Sequence, residues 1–270
     1  MPELPEVEVV RQVLETQLCG LTIVDFEANY RPIIDDDFEF FKNKVVNHKI
    51  VKMERYAKYL IFVLDEGALI SHLRMEGKYF YLKNDAALGK HDHCVFYFDN
   101  GYKLVYSDVR KFGRITYRNY DDIYDVEPLN KVGIEANNPN YDAEILLKKI
   151  NSKKIPIKSI LLDQTIIAGL GNIYVDEVLF KSKIEPLKSG AAITKDEVIQ
   201  IMNNSQEILN KAIINKGTTI RSYTSSLGVS GNYQNFLCVH TKEICPICNA
   251  KLEKIKIGGR TSYYCKNCQR

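Results

Sequence analysis

Residues 59–73 read Tyr59-Leu60-Ile61-Phe62-Val63-Leu64-Asp65-Glu66-Gly67-Ala68-Leu69-Ile70-Ser71-His72-Leu73. Two apolar runs rich in β-branched and aromatic residues flank an Asp-Glu-Gly turn, which is the pattern of a buried β-hairpin. The same texture continues on both sides. It predicts strands over 21–26, 45–55, 59–64, 68–73, 78–82, 94–98, 103–106 and 114–117, with further turns at Glu76-Gly77 and Asp99-Asn100-Gly101. Seven or eight short strands of this kind predict a sandwich or barrel.

Ahead of the strands, Leu4, Val7, Val10, Val13, Leu14 and Leu18 recur at helical spacing, so a helix starts almost at Met1 and ends at Gly20. Behind them, residues 121–140 are polar and rich in turn formers and read as a linker. Helices are predicted over 142–150, 156–163, 172–183 and 194–215, the last opened by the capping box Thr194-Lys-Asp-Glu197. The Gly-, Ser- and Thr-rich stretch 217–232 reads as a loop. The expected organisation is therefore a β-rich domain over 1–120, a helical domain over 141–232 and a small cysteine-bearing module over 233–270.

With 45% hydrophobic and 26% charged residues, the 270-residue chain has an ordinary globular composition. Its longest apolar runs, 59–64 among them, fall far short of the roughly 20 residues that span a bilayer. The opening Met1-Pro2-Glu3-Leu4-Pro5-Glu6 is acidic, unlike a secretion signal. Neither a membrane protein nor a secreted one is expected. The net charge of +3 is unevenly spread: residues 1–150 carry 20 Lys+Arg against 25 Asp+Glu, and residues 151–270 carry 17 against 9. Such asymmetry suits a basic surface for a polyanion such as nucleic acid, or simply a solvated Lys-rich surface.

Seven cysteines form an odd set, which argues for a reducing cytosol rather than a disulfide framework. Four of them make Cys245-Pro-Ile-Cys248 and Cys265-Lys-Asn-Cys268, with 16 residues between the pairs. Each CxxC offers two thiolates at a tight turn, and a hairpin between the turns brings the pairs together as a tetrahedral zinc site. One Zn2+ held by four thiolates has no open position for water, so a structural ion is expected.

The N-terminus carries a second chemical possibility. A small second residue such as Pro2 permits removal of Met1, leaving a secondary amine whose reference pKa, about 7.7–8.0, keeps part of it unprotonated near neutrality. Such an amine adds to an aldehyde carbon and forms an iminium that stays cationic. Neighbouring Glu3 is placed to move protons on the reacting group. Taken alone, Pro2 reads more readily as a helix-start proline than as a nucleophile.

The opening Met1-Pro2-Glu3-Leu4-Pro5-Glu6-Val7-Glu8 resembles that of the formamidopyrimidine-DNA glycosylases, bacterial enzymes that excise oxidised purines. The likeness recurs in Arg55-Tyr-Ala-Lys58-Tyr-Leu60, His72-Leu-Arg-Met75-Glu-Gly77, Lys90-His91-Asp-His93 and Asp108-Val-Arg110-Lys-Phe112-Gly113-Arg114. It continues in Leu161-Leu-Asp-Gln164, Gly169-Leu-Gly-Asn172-Ile-Tyr174, Gly217-Thr-Thr-Ile-Arg221 and Gly258-Gly-Arg260-Thr261. The resemblance implies an α+β multidomain fold: an N-terminal helix and β-sandwich, a helix–two-turns–helix domain and a C-terminal zinc-finger hairpin. It implies a bifunctional glycosylase and abasic-site lyase of base excision repair, monomeric, bacterial and cytoplasmic. The partner is double-stranded DNA containing 8-oxoguanine, formamidopyrimidines or abasic sites.

The same resemblance assigns roles. Pro2 is the nucleophile on the sugar C1′, Glu3 the acid or base, Lys58 an aid to catalysis that positions the lesion strand, and Arg260 a phosphate grip and proton donor in δ-elimination. As a donor Arg260 is less apt than as a grip, because a guanidinium releases a proton reluctantly. Met75, Arg110 and Phe112 match an intercalating trio that fills the gap left by an extruded nucleotide, although Met75 and Phe112 in isolation read as core residues. His91, Lys154 and Asn172 match positions that contact DNA. Asn172 opens a predicted helix whose backbone N–H groups suit a phosphate. Lys154 lies in a basic run with Lys148, Lys149, Lys153 and Lys158, which also reads as a solvated helix face. The loop over 217–232 corresponds to one that closes on the everted base.

Three departures concern loop geometry: Ala57 where glycine is common, Leu252 for a β-branched residue, and Val239-His240-Thr241 where Tyr-Gly is usual. Competing readings are an endonuclease VIII-type glycosylase for oxidised pyrimidines, which the Leu4 opening disfavours, and a non-catalytic zinc-ribbon DNA-binding protein, which has no need of Pro2, Glu3 and Lys58 together.

Overall fold

The computed structural model describes residues 1–218 and 231–270, which fall into two compact units. Met1–Pro2 and Glu6–Asn130 belong to the first, and Glu3–Pro5, Lys131–Thr218 and Asn232–Arg270 to the second.

The first unit holds α1 (Leu4–Leu18) from Glu6 onward, then β1 (Ile23–Ala28), α2 (Phe38–Val45), β2 (Ile50–Tyr56), β3 (Tyr59–Leu64), β4 (Ala68–His72), β5 (Lys78–Lys83), β6 (Asp92–Phe98), β7 (Tyr102–Ser107) and β8 (Arg114–Arg118). The strands form two antiparallel four-stranded sheets, ordered β1-β6-β7-β5 and β2-β3-β4-β8. This is the expected sandwich. Ile23, Phe96 and Leu104 of one sheet and Ile50, Phe62 and Ile115 of the other line a residual space of only about 10 Å³, too tight to serve as a ligand chamber. Val7, Val10, Leu14 and Leu18 of α1 join the same core.

One element departs from the predicted pattern. The segment Phe38-Glu-Phe-Phe-Lys-Asn-Lys-Val45 is helical, so the strand expected over 45–55 starts only at Ile50. Its aromatic content suggests strand, yet Asp37 caps the helix by accepting from the Phe40 amide at 2.9 Å, while Phe41 and Val45 bury one face. The capping aspartate was the available signal.

The second unit contains β9 (Ile134–Glu135), α3 (Ala143–Asn151), α4 (Ile157–Leu161), β10 (Ile167–Ala168), α5 (Asn172–Lys181), α6 (Lys195–Ile214), β11 (Glu253–Ile257) and β12 (Arg260–Tyr264). All four predicted helices form. Asp142 caps α3, and Thr194 and Glu197 close the capping box on α6. β9 pairs in parallel with β10, so part of the stretch read as a linker is an ordered piece of this unit. The cysteine hairpin β11–β12 packs on α5 within the same unit. The loop expected over 217–232 lies outside the described residues from 219 to 230. No helix among the described residues is long and apolar enough to cross a membrane.

Leu14 is fully buried between α1 and the sandwich. Leu14→Ala should lower stability by about 2–5 kcal/mol, read as a shift of the urea unfolding midpoint by circular dichroism.

Candidate active site and metal centre

Glu3 occupies the start of α5. Its carboxylate accepts from the backbone N–H groups of Gly171 (2.7 Å), Ile173 (2.9 Å) and Tyr174 (3.3 Å), which are otherwise unpaired donors at the positive end of a helix. A Cβ at Gly171 would meet the Glu3 carboxyl carbon at 2.3 Å, so only glycine permits the approach. The Leu4 amide continues the contact by donating to the Gly169 carbonyl at 3.1 Å. The Gly169-Leu-Gly171 stretch thus serves Glu3. A phosphate reaching this helix start would find those three donors engaged.

The zinc hairpin meets the fit test for its ion. The four sulfurs of Cys245, Cys248, Cys265 and Cys268 lie within 4.8 Å of one another, with Cys245–Cys268 at 3.8 Å and Cys248–Cys265 at 3.5 Å. A tetrahedral zinc with bonds of about 2.3 Å needs sulfur–sulfur edges of about 3.8 Å. Between the pairs, β11 and β12 turn through Gly258-Gly259, both at positive φ, and Ile257 pairs with Arg260. Arg260 is therefore the first residue after the turn, and it is exposed.

A buried charged network ties this hairpin to α5. Lys158 is 0% exposed, and its ammonium donates to Asp176 at 2.7 Å and to the Thr261 carbonyl at 3.3 Å. Burial pushes the Lys158 ammonium down from its ordinary value, against the pull of Asp176. The other Asp176 oxygen meets the His240 ring at 2.8 Å and accepts from the Tyr263 amide at 3.3 Å. Next to it, Glu177 accepts from the amides of Cys238, Val239 and His240. Asn172 donates its side-chain amide to Thr261 at 2.9 Å, so strand β12 is clamped beside Arg260. Lys158 consequently leaves the solvated basic run in which the sequence put it, because an ion pair can bury a lysine that composition alone assigns to water. Lys154 is exposed.

In the first unit, Ala57 and Lys58 form the two-residue turn joining β2 to β3, closed by the Tyr56–Tyr59 pair. Lys58 is in the turn itself and only 3% exposed. Ala57 adopts φ +51°, which explains why glycine is common there. Behind Lys58, the His72 ring packs edge-on against Tyr59 at 4.6 Å and accepts from the Arg74 amide at 2.9 Å.

Met75, Arg110 and Phe112 are all exposed, not core. Their two loops back onto one hydroxyl: a Cβ at Gly77 or at Gly113 would meet the buried Tyr106 oxygen at 2.2 and 1.6 Å. Asp108 organises the second loop by accepting from the amides of Arg110, Phe112 and Gly113 at 2.9–3.0 Å. The Arg110 guanidinium lies 4.7 Å over the Phe112 ring. His91 adjoins the base of this loop, its carbonyl accepting from the Asp108 amide at 3.0 Å. Ala57, Arg74 and Lys111, one in each of the three loops, have positive φ without being glycine, a local strain found at functional sites. Asp108 and Tyr106 as organisers, and the Asp176 and Glu177 anchors, were missed by the sequence reading. An aspartate followed by amides two to five residues on was the only signal for the first.

Family models match most of the chain: the formamidopyrimidine-DNA glycosylase N-terminal domain over residues 1–115, its H2TH domain over 132–224, and the zinc finger found in FPG and IleRS over 242–270. The formamidopyrimidine-DNA glycosylase of Lactobacillus delbrueckii subsp. bulgaricus is 42% identical over 272 residues, covering 100% of both chains. That of Streptococcus pneumoniae serotype 4 is also 42% identical, covering 100% of this chain and 99% of its own. The chain belongs to the formamidopyrimidine-DNA glycosylase family. Among solved structures, a Lactococcus lactis FPG mutant complexed with Fapy-dG containing DNA superposes with a TM-score of 0.93 at 40% identity, each chain fully covered. The Lactococcus lactis Fpg complex with abasic site containing DNA gives 0.92, also at 40% identity and full coverage. The family fold, with helix, sandwich, H2TH domain and zinc finger, is the one foreseen from the motifs, and zinc is its metal.

Two outcomes follow from the geometry. Asp176→Ala strands the buried Lys158 charge, so stability should fall by about 3–5 kcal/mol and zinc should pass faster to a chromogenic chelator. Burial, helped by the charges of Arg74 and Lys58, pushes His72 down to about 3. The unfolded chain takes up a proton near pH 6.5 that the folded chain refuses, so stability is full above that pH and declines as pH falls toward 3, by about 1.4 kcal/mol per unit. Comparing urea unfolding at pH 7 and pH 5, His72→Asn should lose about 2 kcal/mol less than the parent.

Proposed function

We propose that Pro2, Glu3, Lys58 and Arg260 carry the chemistry of this DNA glycosylase of base excision repair. The reading rests above all on the full-length likeness to an FPG bound to Fapy-dG containing DNA. The substrate is duplex DNA with an oxidised purine or an abasic site, and the setting is the bacterial cytoplasm.

With Met1 removed, the Pro2 nitrogen lone pair attacks C1′ of the damaged nucleotide. The C1′–N bond breaks, the base leaves with a proton, and opening of the sugar ring gives a cationic iminium between Pro2 and C1′. Glu3 delivers or removes protons at the sugar and base. Its three backbone bonds hold the carboxylate in one orientation, which lowers the reorganisation needed in the reaction. Loss of a C2′ proton then expels the 3′ phosphate, and a second elimination expels the 5′ phosphate, leaving a one-nucleotide gap.

Lys58 positions the lesion strand, and Arg260 grips a phosphate bidentately at the tip of the zinc hairpin. Zinc supplies no reacting group; it folds the hairpin that presents Arg260. Met75, Arg110 and Phe112 fill the place of the extruded nucleotide, a role suited to two exposed loops held on Tyr106 and Asp108. His91, Lys154 and Asn172 contact the DNA backbone. Asn172 does so through the second N–H of its side-chain amide, the first being donated to the Thr261 carbonyl at 2.9 Å.

Sodium borohydride treatment on an 8-oxoguanine:cytosine duplex should trap a covalent complex that mass spectrometry locates at Pro2. Glu3→Gln should slow base release by about 10²–10⁴-fold. A linkage elsewhere, or faster cleavage of a thymine-glycol duplex, would sink the assignment.

A further inference from the structure

A cavity of about 330 Å³ opens at the C-terminal end of α5, within the size range of ligand pockets. Glu3 and Asn172 lie at the other end of this ten-residue helix, about 15 Å away.

The walls are apolar, formed by Phe180 of α5, Ile208 of α6, Phe236, and Ile247 from the first zinc knuckle. Phe236 is 44% exposed and Ile247 65%, so this apolar surface faces solvent. The polar groups are few. Lys181 pairs with Glu207, and the Glu177 carboxylate is already shared by three backbone amides. Lys183 and Lys211 also line the cavity, and neither makes an ion pair among the described residues. Lys211 instead lies 4.5 Å over the Phe236 ring. Tyr233 is 4% exposed, and its ring lies against Phe236 with centroids 5.8 Å apart. The hydroxyl lies in the field of Glu177, Cys238 and Glu207, all of which line the cavity.

We propose that this cavity docks an acidic peptide segment of a partner protein. One aromatic or large aliphatic side chain seats among Phe180, Ile208 and Phe236, and flanking carboxylates meet Lys183 and Lys211. Charge complementarity selects the acidic partner, and the concave apolar floor selects a side-chain anchor over a phosphodiester strand, which needs a groove that tracks its phosphates. Because the site is at the far end of α5 from Glu3 and Asn172, peptide and DNA bind the same molecule together.

The test uses the zinc-loaded full chain and the fluorescein-labelled peptide Asp-Asp-Asp-Leu-Phe, followed by anisotropy. Saturable binding with a Kd of about 1–100 μM is expected. Phe236→Ser and Lys211→Glu should each weaken it at least about tenfold, as should the neutral peptide Asn-Asn-Asn-Leu-Phe. Both variants should excise 8-oxoguanine at the parent rate, and undamaged duplex should not displace the peptide. Should Phe236→Ser lose zinc or activity, Lys211→Glu and Lys183→Glu decide the matter. No saturation by about 1 mM, parent-like affinity in the lysine variants, equal binding of the neutral peptide, or displacement by duplex would each overturn the proposal.

Discussion

Three backbone N–H groups at the start of α5 converge on the carboxylate of Glu3, and much of the second unit is arranged around that contact. A helix start is a natural anion site, here filled by the protein's own side chain. The filling demands a glycine at position 171, where a methyl group would collide with Glu3. Further along the same helix, Asp176 and Glu177 hold the segment 238–240 and the zinc hairpin. One ten-residue helix thus fixes a candidate acid at its first turn and the support of a candidate phosphate grip in the next turn. Buried charges in such a network add little net stability; what they specify is a single arrangement.

The first unit solves a related problem by other means. The space between its sheets is apolar and only about 10 Å³, and the candidate residues sit in loops at the ends of its strands. Arg55 braces the turn at Lys58 by pairing with Glu8 at 2.8 Å and donating to the Ala57 carbonyl at 3.0 Å. Tyr106 fills the space that two glycines leave, and Asp108 collects three amides. Loops ordered beforehand lose less conformational freedom when DNA arrives. The strain at Ala57, Arg74 and Lys111 is borne by the rigid strands on either side.

Zinc and the iminium-forming amine have separate tasks in this arrangement. Four thiolates saturate the metal, so its influence passes through the hairpin to Arg260 and through Thr261 to Asn172 and Lys158. His240, a departure from the usual family residue, does not break this connection: its ring reaches Asp176 and packs edge-on against Tyr263.

Local pattern determined a large part of this protein. Alternating apolar runs and turn residues located eight strands, caps and periodicity located the helices of the second unit, and cysteine spacing located the metal site, because each depends on residues close in the chain. The motif from Met1 to Glu8 pointed to the family and to Pro2 and Glu3. Only the tertiary structure decided that Phe38–Val45 is helical, that Lys58 lies in its turn and is buried, and that Lys158 is an interior ion-pair partner rather than a surface charge. It alone decided that the donors at the start of α5 belong to Glu3, 168 residues away from Gly171 in the chain. Burial and pairing of charge depend on which distant segments meet, and one-dimensional spacing carries no record of that.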